Sequence, residues 1–489
     1  MGMALDLERP FATVPGLIRQ NALERPGHIA VLQEQPSLRS IDYRALDALV
    51  DRVAAALQRD GVEPRQSIAV CGTNSIEYAA LFLGALRAGV AVAPLAPSAT
   101  PESIARMTKD SGAKIFFDED RLENLEAWMA PAGAKPRPVE IQPDWPFNII
   151  YSSGTTGEPK GIVHPHAMRW AHVRRAGVIG YGPDAITLLS TPLYSNTTLV
   201  SFLPTVALGG TVILMPKFDA RGYLELAQKY RVTHTMLVPV QYQRLMALPD
   251  FGKYDLSSFR MKRCTSAPFA AALKKQVLER WPGKLIDSYG LTEGGGTCML
   301  DCTEYPDKLH TVGKPAPGHD IRLIDANGRE VGAGQAGEVV GHSPGIMTGY
   351  HNQPQKTKDA EWYDPSGKRF IRTGDIGRFD AEGFLTLVDR KKDMIISGGF
   401  NIYPSDLEAV LKEHEFVSEV SVVGVPSEQW GETPVAFVVL KKDFPAEKIL
   451  AWANQKLGKT QRISAIRVID ALPRSAIGKV LKRELRDAY

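Results

Sequence analysis

The chain has 489 residues, 44% hydrophobic and 23% charged, with a formal net charge of +3. That length is too great for one simple core and predicts two or more lobes of a globular protein. The near balance of charge gives no footprint for nucleic acid, although local basic pockets for phosphates stay open. The four cysteines, Cys71, Cys264, Cys298 and Cys302, have no neighbours to complete a zinc site, so buried free thiols are expected. The opening MGMALDLERP is acidic early and lacks an apolar core, which argues against a secretory signal. Asp6 stands where a myristoylation signal needs a hydroxyl residue.

In chain order, the first half alternates amphipathic helix with short apolar strand. Residues 42–59 read as a helix and 67–71 as a strand. Residues 76–89 read as a helix and 90–94 as a strand, and 105–110 and 114–117 repeat the theme. Further strands are predicted at 148–151, 211–214, 235–238 and 285–288. Such alternation predicts an α/β fold, with a parallel sheet covered by helices. Residues 198–215 carry no charge and approach the length of a membrane span. Pro204, Gly209, Gly210 and the hydroxyl residues there favour a buried helix and strand instead, so no integral membrane span is expected.

After about residue 310 short strands and glycine turns dominate, which predicts a β-rich subdomain. Asn327-Gly328 and Glu382-Gly383 read as tight hairpin turns. From Met394 the pattern is strand, helix (404–413), strand, strand, helix and a basic tail, the size of a small α+β lobe.

Tyr151-Ser-Ser-Gly-Thr-Thr-Gly-Glu-Pro-Lys160-Gly161 follows a predicted strand with hydroxyls, glycines and a lysine. Glycines let backbone N–H groups approach phosphate oxygens, hydroxyls add donors and lysine adds a point charge. The spacing is not that of a Walker A loop. On these residues alone a flexible polar turn fits as well as a phosphate cradle.

SSGTTGEPKG resembles the phosphate loop of the acyl-adenylate-forming superfamily, which includes acyl-CoA synthetases, luciferases and the adenylation domains of peptide synthetases. Four further segments resemble that family's motifs in the same order. They are Asp287-Ser-Tyr-Gly-Leu-Thr-Glu293, Arg372-Thr-Gly-Asp375, the stretch from Val388 through Arg390, Lys392 and Gly398-Gly399 to Asn401, and Pro473-Arg-Ser-Ala-Ile-Gly478-Lys479. The resemblance implies an ATP-dependent carboxylic acid–CoA ligase working through an acyl-adenylate in the cytoplasm, with ATP, Mg²⁺ and coenzyme A as its small molecules. It implies a large domain over 1–390 and a mobile C-terminal domain over 391–489 hinged at Lys392, with the active site in the cleft between them.

The resemblance also implies roles. Ser152, Ser153, Gly154, Thr155, Thr156, Gly157 and Lys160 would cradle phosphates. Glu293 would hold Mg²⁺ with help from Thr156, since that ion takes hard oxygen ligands. Thr292 would donate to the α-phosphate and Tyr289 would stack on adenine, beside Asp287, Ser288 and Gly290. Ser266-Ala267-Pro268 would form the adenine turn, with Thr265-Ser266 where the family commonly has glycines. Asp375 would accept from the ribose hydroxyls, and Arg390 would assist at ribose and phosphate. Lys479 would bridge the substrate carboxylate and the α-phosphate, offsetting their repulsion. Gly398 and Gly399 would line the path of the pantetheine arm.

Pro192-Leu-Tyr-Ser-Asn196 resembles the family's acid-binding segment, with Ser195 in place of a histidine. Tyr194, Asn196, Val240 and Gln241 are candidate pocket residues. No arginine stands out to meet a second substrate carboxylate, so an aromatic or medium-length monocarboxylic acid is expected. The alternative acceptor is a carrier protein's phosphopantetheine; the absence of an appended carrier domain after Tyr489 favours coenzyme A. Gly341-His-Ser-Pro-Gly345 matches the G-x-S-x-G pattern of serine hydrolases, but Pro344 lacks the N–H that an oxyanion hole needs there. Luciferase-like oxygenation and a non-catalytic nucleotide-binding protein are the other readings; Lys479, Glu293 and Asp375 together argue against the latter.

Overall fold

The computed structural model describes residues 6–152, 160–332, 334–390, 393–397, 400–458, 461–474 and 480–489. The chain divides into two compact units, 1–321 with 341–371 and 322–340 with 372–489. The division falls inside the strands Asp320–Ile324, Gly337–His342 and Arg369–Phe379.

The first unit is α/β. One sheet has nine strands in the order Lys314–Pro315, Thr297–Asp301, Lys284–Gly290, Met261–Cys264, His234–Leu237, Ile186–Leu189, Thr211–Leu214, Ile29–Gln33 and Arg39–Asp42. Its six central strands, from Lys284–Gly290 to Ile29–Gln33, are mutually parallel. Ile186–Leu189, Thr211–Leu214 and Ile29–Gln33 read as mainly apolar runs because both faces of the sheet are covered. A second sheet runs Gly349–Tyr350, Lys160–Pro165, Pro146–Ser152, Ala91–Leu95, Ser67–Cys71 and Ala113–Phe117.

The helices Val14–Glu24, Tyr43–Arg59, Ile76–Arg87, His166–Val178 and Asn196–Ala207 contribute to one continuous core. Asp42 caps Tyr43–Arg59 by accepting from the Ala45 N–H, and Ser75 caps Ile76–Arg87 through the Tyr78 N–H. The latter helix is buried at every position except Glu77, so it has no extended polar face. At Gly84 an added Cβ would lie 2.4 Å from Val53 Cβ, so only glycine lets these two helices approach. The uncharged run at 198–215 resolves into a buried helix, Asn196–Ala207, and the buried strand Thr211–Leu214. Among the described residues no helix is long and apolar enough to cross a membrane. All four cysteines are free and buried, and burial raises every thiol pKa.

In the second unit, Val417–Ser427 and Gly431–Leu440 form a long hairpin. Val420, Val422, Ala436 and Val438 face a core shared with the helices Pro404–Lys412 and Ala446–Lys456. Val423, Val425, Val435 and Phe437 face a second core that includes Leu485 of the helix Lys482–Asp487. Two covered faces explain why residues 420–425 are buried without alternation. The strand expected at Met394 is the antiparallel pair Ile395–Ser397 and Phe400–Ile402. The expected basic tail carries the strand Ala465–Val468 and that anchored terminal helix. Both expected glycine turns form, with φ of 77° at Gly328 and 83° at Gly383.

Candidate functional site

The parallel strands of the large sheet end together, and the segments with motif residues begin where they end. Ile186–Leu189 leads into Pro192–Asn196, His234–Leu237 into Val240 and Gln241, Met261–Cys264 into Ser266–Pro268, and Lys284–Gly290 into Thr292 and Glu293. Ligands of open α/β sheets bind outside the carboxyl ends of the strands, because the connecting loops there are free to carry polar groups.

Hydrogen bonds tie these loops to one another. Thr197 Oγ1 and Ser266 Oγ lie 2.6 Å apart, and Thr265 Oγ1 donates to the Ser288 carbonyl at 2.8 Å. Ser266 has φ 81°, a left-handed conformation rare for a residue with a side chain, and is exposed. Such an outlier held by its neighbours marks a positioned loop. Ala267 is half-buried and Pro268 exposed beside it.

Thr292 is placed through its backbone. Burial and the Arg169 charge hold the His164 pKa well below the ordinary value, so the imidazole is neutral. Arg169 Nη2 lies 2.8 Å from His164 Nδ1, which must accept; Nε2–H then donates to the Thr292 carbonyl at 2.6 Å. Neither His164 nor Arg169 was singled out in the sequence, where nothing local links them to residue 292.

Glu293 is half-buried, and Tyr350 Oη donates to its Oε1 at 2.8 Å. Its carbonyl accepts from the Met347 N–H at 2.9 Å. Gly294 follows with φ 75°, and a Cβ there would lie 1.9 Å from the Gly345 carbonyl, so only glycine permits this turn. Lys160 sits with its ammonium 5.1 Å from the centre of the Tyr350 ring. Lys160, Tyr350 and Glu293 thus form one chain of contacts. The Ser152–Lys160 pair closes the antiparallel hairpin that carries the loop. Ser153, Gly154, Thr155, Thr156 and Gly157 lie outside the described residues, as does the side chain of Ser152.

Other expected site residues are committed to the fold. Asp287 is buried in an ion pair with Lys274 at 2.7 Å, and Lys274 Nζ also donates to the carbonyls of Leu309 and Thr311. Burial pushes the Asp287 pKa up, against the pull of Lys274. Ser288 is buried too, whereas Tyr289 is half-buried and Gly290 exposed at the end of their strand. Gln241 accepts from the Val238 N–H and donates to Ser190 Oγ at 3.2 Å, so its amide fixes the start of its own helix. Ser195 caps Asn196–Ala207, and Asn196 Oδ1 accepts from Arg169 Nη1 at 2.9 Å. Tyr194 and Val240 are half-buried, and burial raises the Tyr194 phenol pKa.

In the second unit Asp375 is buried and in register with Arg390 of the neighbouring strand. Its N–H donates to Thr373 Oγ1 at 3.0 Å, after Gly374 at φ 69°. Lys392, Gly398, Gly399 and Lys479 lie outside the described residues, as does the side chain of Arg390. Ser343, the serine of the hydrolase-like pattern, is buried and accepts from the Gly345 N–H at 3.1 Å. No helix follows it before Pro354–Asp359, so it does not sit on a strand-to-helix nucleophile turn.

Three arginines and a neutral histidine that the sequence did not disclose lie beside these loops. Arg169 and Arg263 are buried, and His172 and Arg175 half-buried. Burial lowers the Arg169 pKa to about 9, and burial with the nearby Arg263 charge lowers that of Arg175 to about 10. Burial together with Arg175, Arg169, His164 and Arg263 drives that of His172 well down.

Comparisons with known proteins find relatives over most of the chain. The model of the AMP-binding enzyme family matches residues 18–351, and that of the AMP-binding enzyme C-terminal domain matches 406–479. A feruloyl-CoA synthase of Amycolatopsis sp. is 32% identical over 471 residues, covering 92% of this chain and 94% of that protein. Two solved structures superpose over 98% of this chain and 99% of theirs. ATP-bound MatB from Rhodopseudomonas palustris does so with a TM-score of 0.86 at 27% identity. The o-succinylbenzoate CoA synthetase MenE of Bacillus subtilis, in complex with its acyl-adenylate intermediate, does so with 0.84 at 26%.

Proposed function

The chain belongs to the AMP-binding enzymes, and from that premise we propose that it is an AMP-forming acid–CoA ligase for an aromatic or medium-length carboxylic acid. The observation that carries this is the meeting of the 192–197, 265–268 and 288–293 segments at the carboxyl ends of parallel strands, with Glu293 and Thr292 each fixed from behind.

The first step is attack by a carboxylate oxygen on the α-phosphorus of ATP, with pyrophosphate leaving. Two anions must approach, so positioned donors dominate the barrier. Thr292, oriented by its tie to His164, is proposed to donate to the α-phosphate. Lys479 is proposed to bridge that phosphate and the attacking carboxylate. Lys160 and the hydroxyls and N–H groups of 152–157 are proposed to hold the outer phosphates. Asp375 and Arg390 are proposed to hold the ribose, and Tyr289 with Ser266–Pro268 the adenine. Asp287 contributes by bracing the strand through Lys274.

The residues present fit Mg²⁺: one restrained carboxylate, Glu293, next to nucleotide phosphates is a donor set this ion ordinarily takes. Thr156 is proposed to assist, and the ion would neutralise phosphate charge. In the second step the thiolate of coenzyme A attacks the acyl carbon, and AMP leaves with the bridging oxygen. Gly398 and Gly399 are proposed to leave room for the pantetheine arm, with rotation about a hinge at Lys392 between the steps. The cytoplasm is the proposed location, and four unpaired thiols suit its reducing conditions.

The test is acid-dependent exchange of pyrophosphate into ATP, followed by thioester formation on adding coenzyme A. Exchange with no thioester to coenzyme A, but transfer to a phosphopantetheine carrier, would replace the acceptor. No exchange with any acid would reject the ligase reading.

A further inference from the structure

Buried cations in the first unit are, with few exceptions, fully partnered. Arg87 meets Asp47 at 2.7 Å, Asp51 at 2.8 Å and the Pro15 carbonyl at 2.8 Å. Lys274 meets Asp287 and two carbonyls, and Lys262 donates to the carbonyls of Trp281, Pro282 and Gly283. Arg169 is bound by the amide oxygens of Asn148 and Asn196. This is what burial of charge demands.

Arg263 and Arg175 break the pattern. Arg263 is 4% exposed, yet its guanidinium makes one contact, from Nη1 to the Val200 carbonyl at 3.4 Å, and its Nε has no partner. Arg175 makes one contact, from Nη1 to Thr297 Oγ1 at 3.5 Å. Both distances are at the limit of a hydrogen bond. Among the described residues no carboxylate pairs with Arg263, Arg175 or Arg169. Of their ten guanidinium N–H donors two make these long contacts, and the Arg263 Nε is buried without a partner, while the two charges lie within reach of each other's field. His172, which burial and then the arginine charges keep neutral, is no compensating anion.

Their location says what is missing. Arg263 lies three residues before Ser266, and Val200 lies in the helix that begins at Asn196. Thr297, which Arg175 touches, lies four residues after Glu293. His172 and Arg175 lie deep enough for burial to lower their pKa values, yet keep some accessible surface. A planar guanidinium fork matches a carboxylate, and two neighbouring ones with so few partners would bind one tightly.

We propose that Arg263 and Arg175 bind a second carboxylate on the acid substrate, so that the enzyme activates dicarboxylic acids at the carboxyl group farther from these arginines. This rests on the ligase reading above and departs from the single-carboxylate expectation drawn from the sequence. The chemistry of activation is unchanged: one carboxylate attacks the α-phosphorus while the other stays ionised in the arginine fork.

The test compares acids that differ only at the distal end. Adipate is set against its monomethyl ester and heptanoate, and 4-carboxycinnamate against its 4-methyl ester. Pyrophosphate exchange is read as kcat/KM. The expected result is a preference for the diacid of at least roughly 10-fold, residing in KM. Arg263→Met should lower diacid kcat/KM by roughly 10²-fold, as loss of one partner of a buried charge pair does, and reverse the preference. The ester comparison uses the unaltered enzyme, so it stands even if a variant fails to fold. Equal or better exchange with the half-esters and monoacids overturns the inference and leaves the ligase intact. A diacid preference that survives both Arg263→Met and Arg175→Met also overturns it. Exchange with no acid of either kind rejects the ligase reading and this inference together.

Discussion

Tyr350→Phe isolates one hydrogen bond. Tyr350 Oη donates to Glu293 Oε1 at 2.8 Å, and burial, reinforced by the Glu293 charge, raises the phenol pKa, so the donor stays protonated across any working pH. The substitution keeps the ring under Lys160, 5.1 Å away, and the backbone pairing of Tyr350 with Ile162. What is lost is one neutral donor to a carboxylate, worth about 1.5–3 kcal/mol where the acceptor is charged. Glu293 would then wander, and losing such an outer partner of a metal ligand typically costs 10–100-fold in metal affinity. The Mg²⁺ concentration for half-maximal pyrophosphate exchange should therefore rise by about 10-fold or more. Activity at saturating Mg²⁺ should fall much less, and the melting temperature should shift little. A Mg²⁺ titration of both proteins with thermal denaturation alongside makes the measurement. An unchanged Mg²⁺ curve would show that Tyr350 does not position a metal ligand. A large loss of stability with no change in the curve would make the bond purely structural.

Asp375→Ala should raise the KM for ATP by about 10-fold through lost hydrogen bonds to the ribose; 2′-deoxy-ATP should handicap the original enzyme more than the variant, and equal handicaps would place Asp375 elsewhere. Lys479→Ala should slow adenylation by about 10²-fold or more while sparing thioester formation from a supplied acyl-adenylate. Lys392→Pro should do the reverse, because proline locks φ at the hinge; equal losses in both steps for both variants would reject the two-pose mechanism. Asp51 is buried and paired with Arg87 and Lys135. Although burial alone would raise its pKa, the hydrogen bond from Lys135 and the arginine charges hold it below the ordinary value. Its contribution is present above the unfolded carboxylate pKa and is lost as pH falls through the lowered folded one. Asp51→Asn should cost about 3–5 kcal/mol at pH 7 by urea unfolding, with the difference shrinking in acid; a pH-independent difference would contradict this.

Local signals made much of the fold legible. Strands Ser67–Cys71 and Thr211–Leu214 fall where short apolar runs sit between turn residues, and Asp42 announces the helix Tyr43–Arg59. Strand Arg39–Asp42 is a short mixed polar run with no period, and the short apolar strand Ile29–Gln33 owes its place to Thr211–Leu214, a partner distant in the chain, so neither is legible locally. The site was legible as motifs, and its supports were not. His164 reaches Thr292 across 128 positions, and Tyr350 reaches Glu293 across 57. Gln241 read as a pocket residue because its own helix start was not visible as its partner. Arg263 reads locally as one more basic residue in Met261–Cys264; its burial, and the absence of a described carboxylate beside it, are properties of the folded unit.

The acyl-adenylate is the central claim, and the fate of one oxygen tests it most directly. A substrate acid labelled with ¹⁸O in its carboxylate is turned over with MgATP and coenzyme A, and the products are resolved by mass spectrometry. Attack of that carboxylate on the α-phosphorus predicts acyl-CoA, unlabelled pyrophosphate and AMP carrying one ¹⁸O. Label in inorganic phosphate, with ADP as the nucleotide product, would instead mean an acyl-phosphate and would contradict the account.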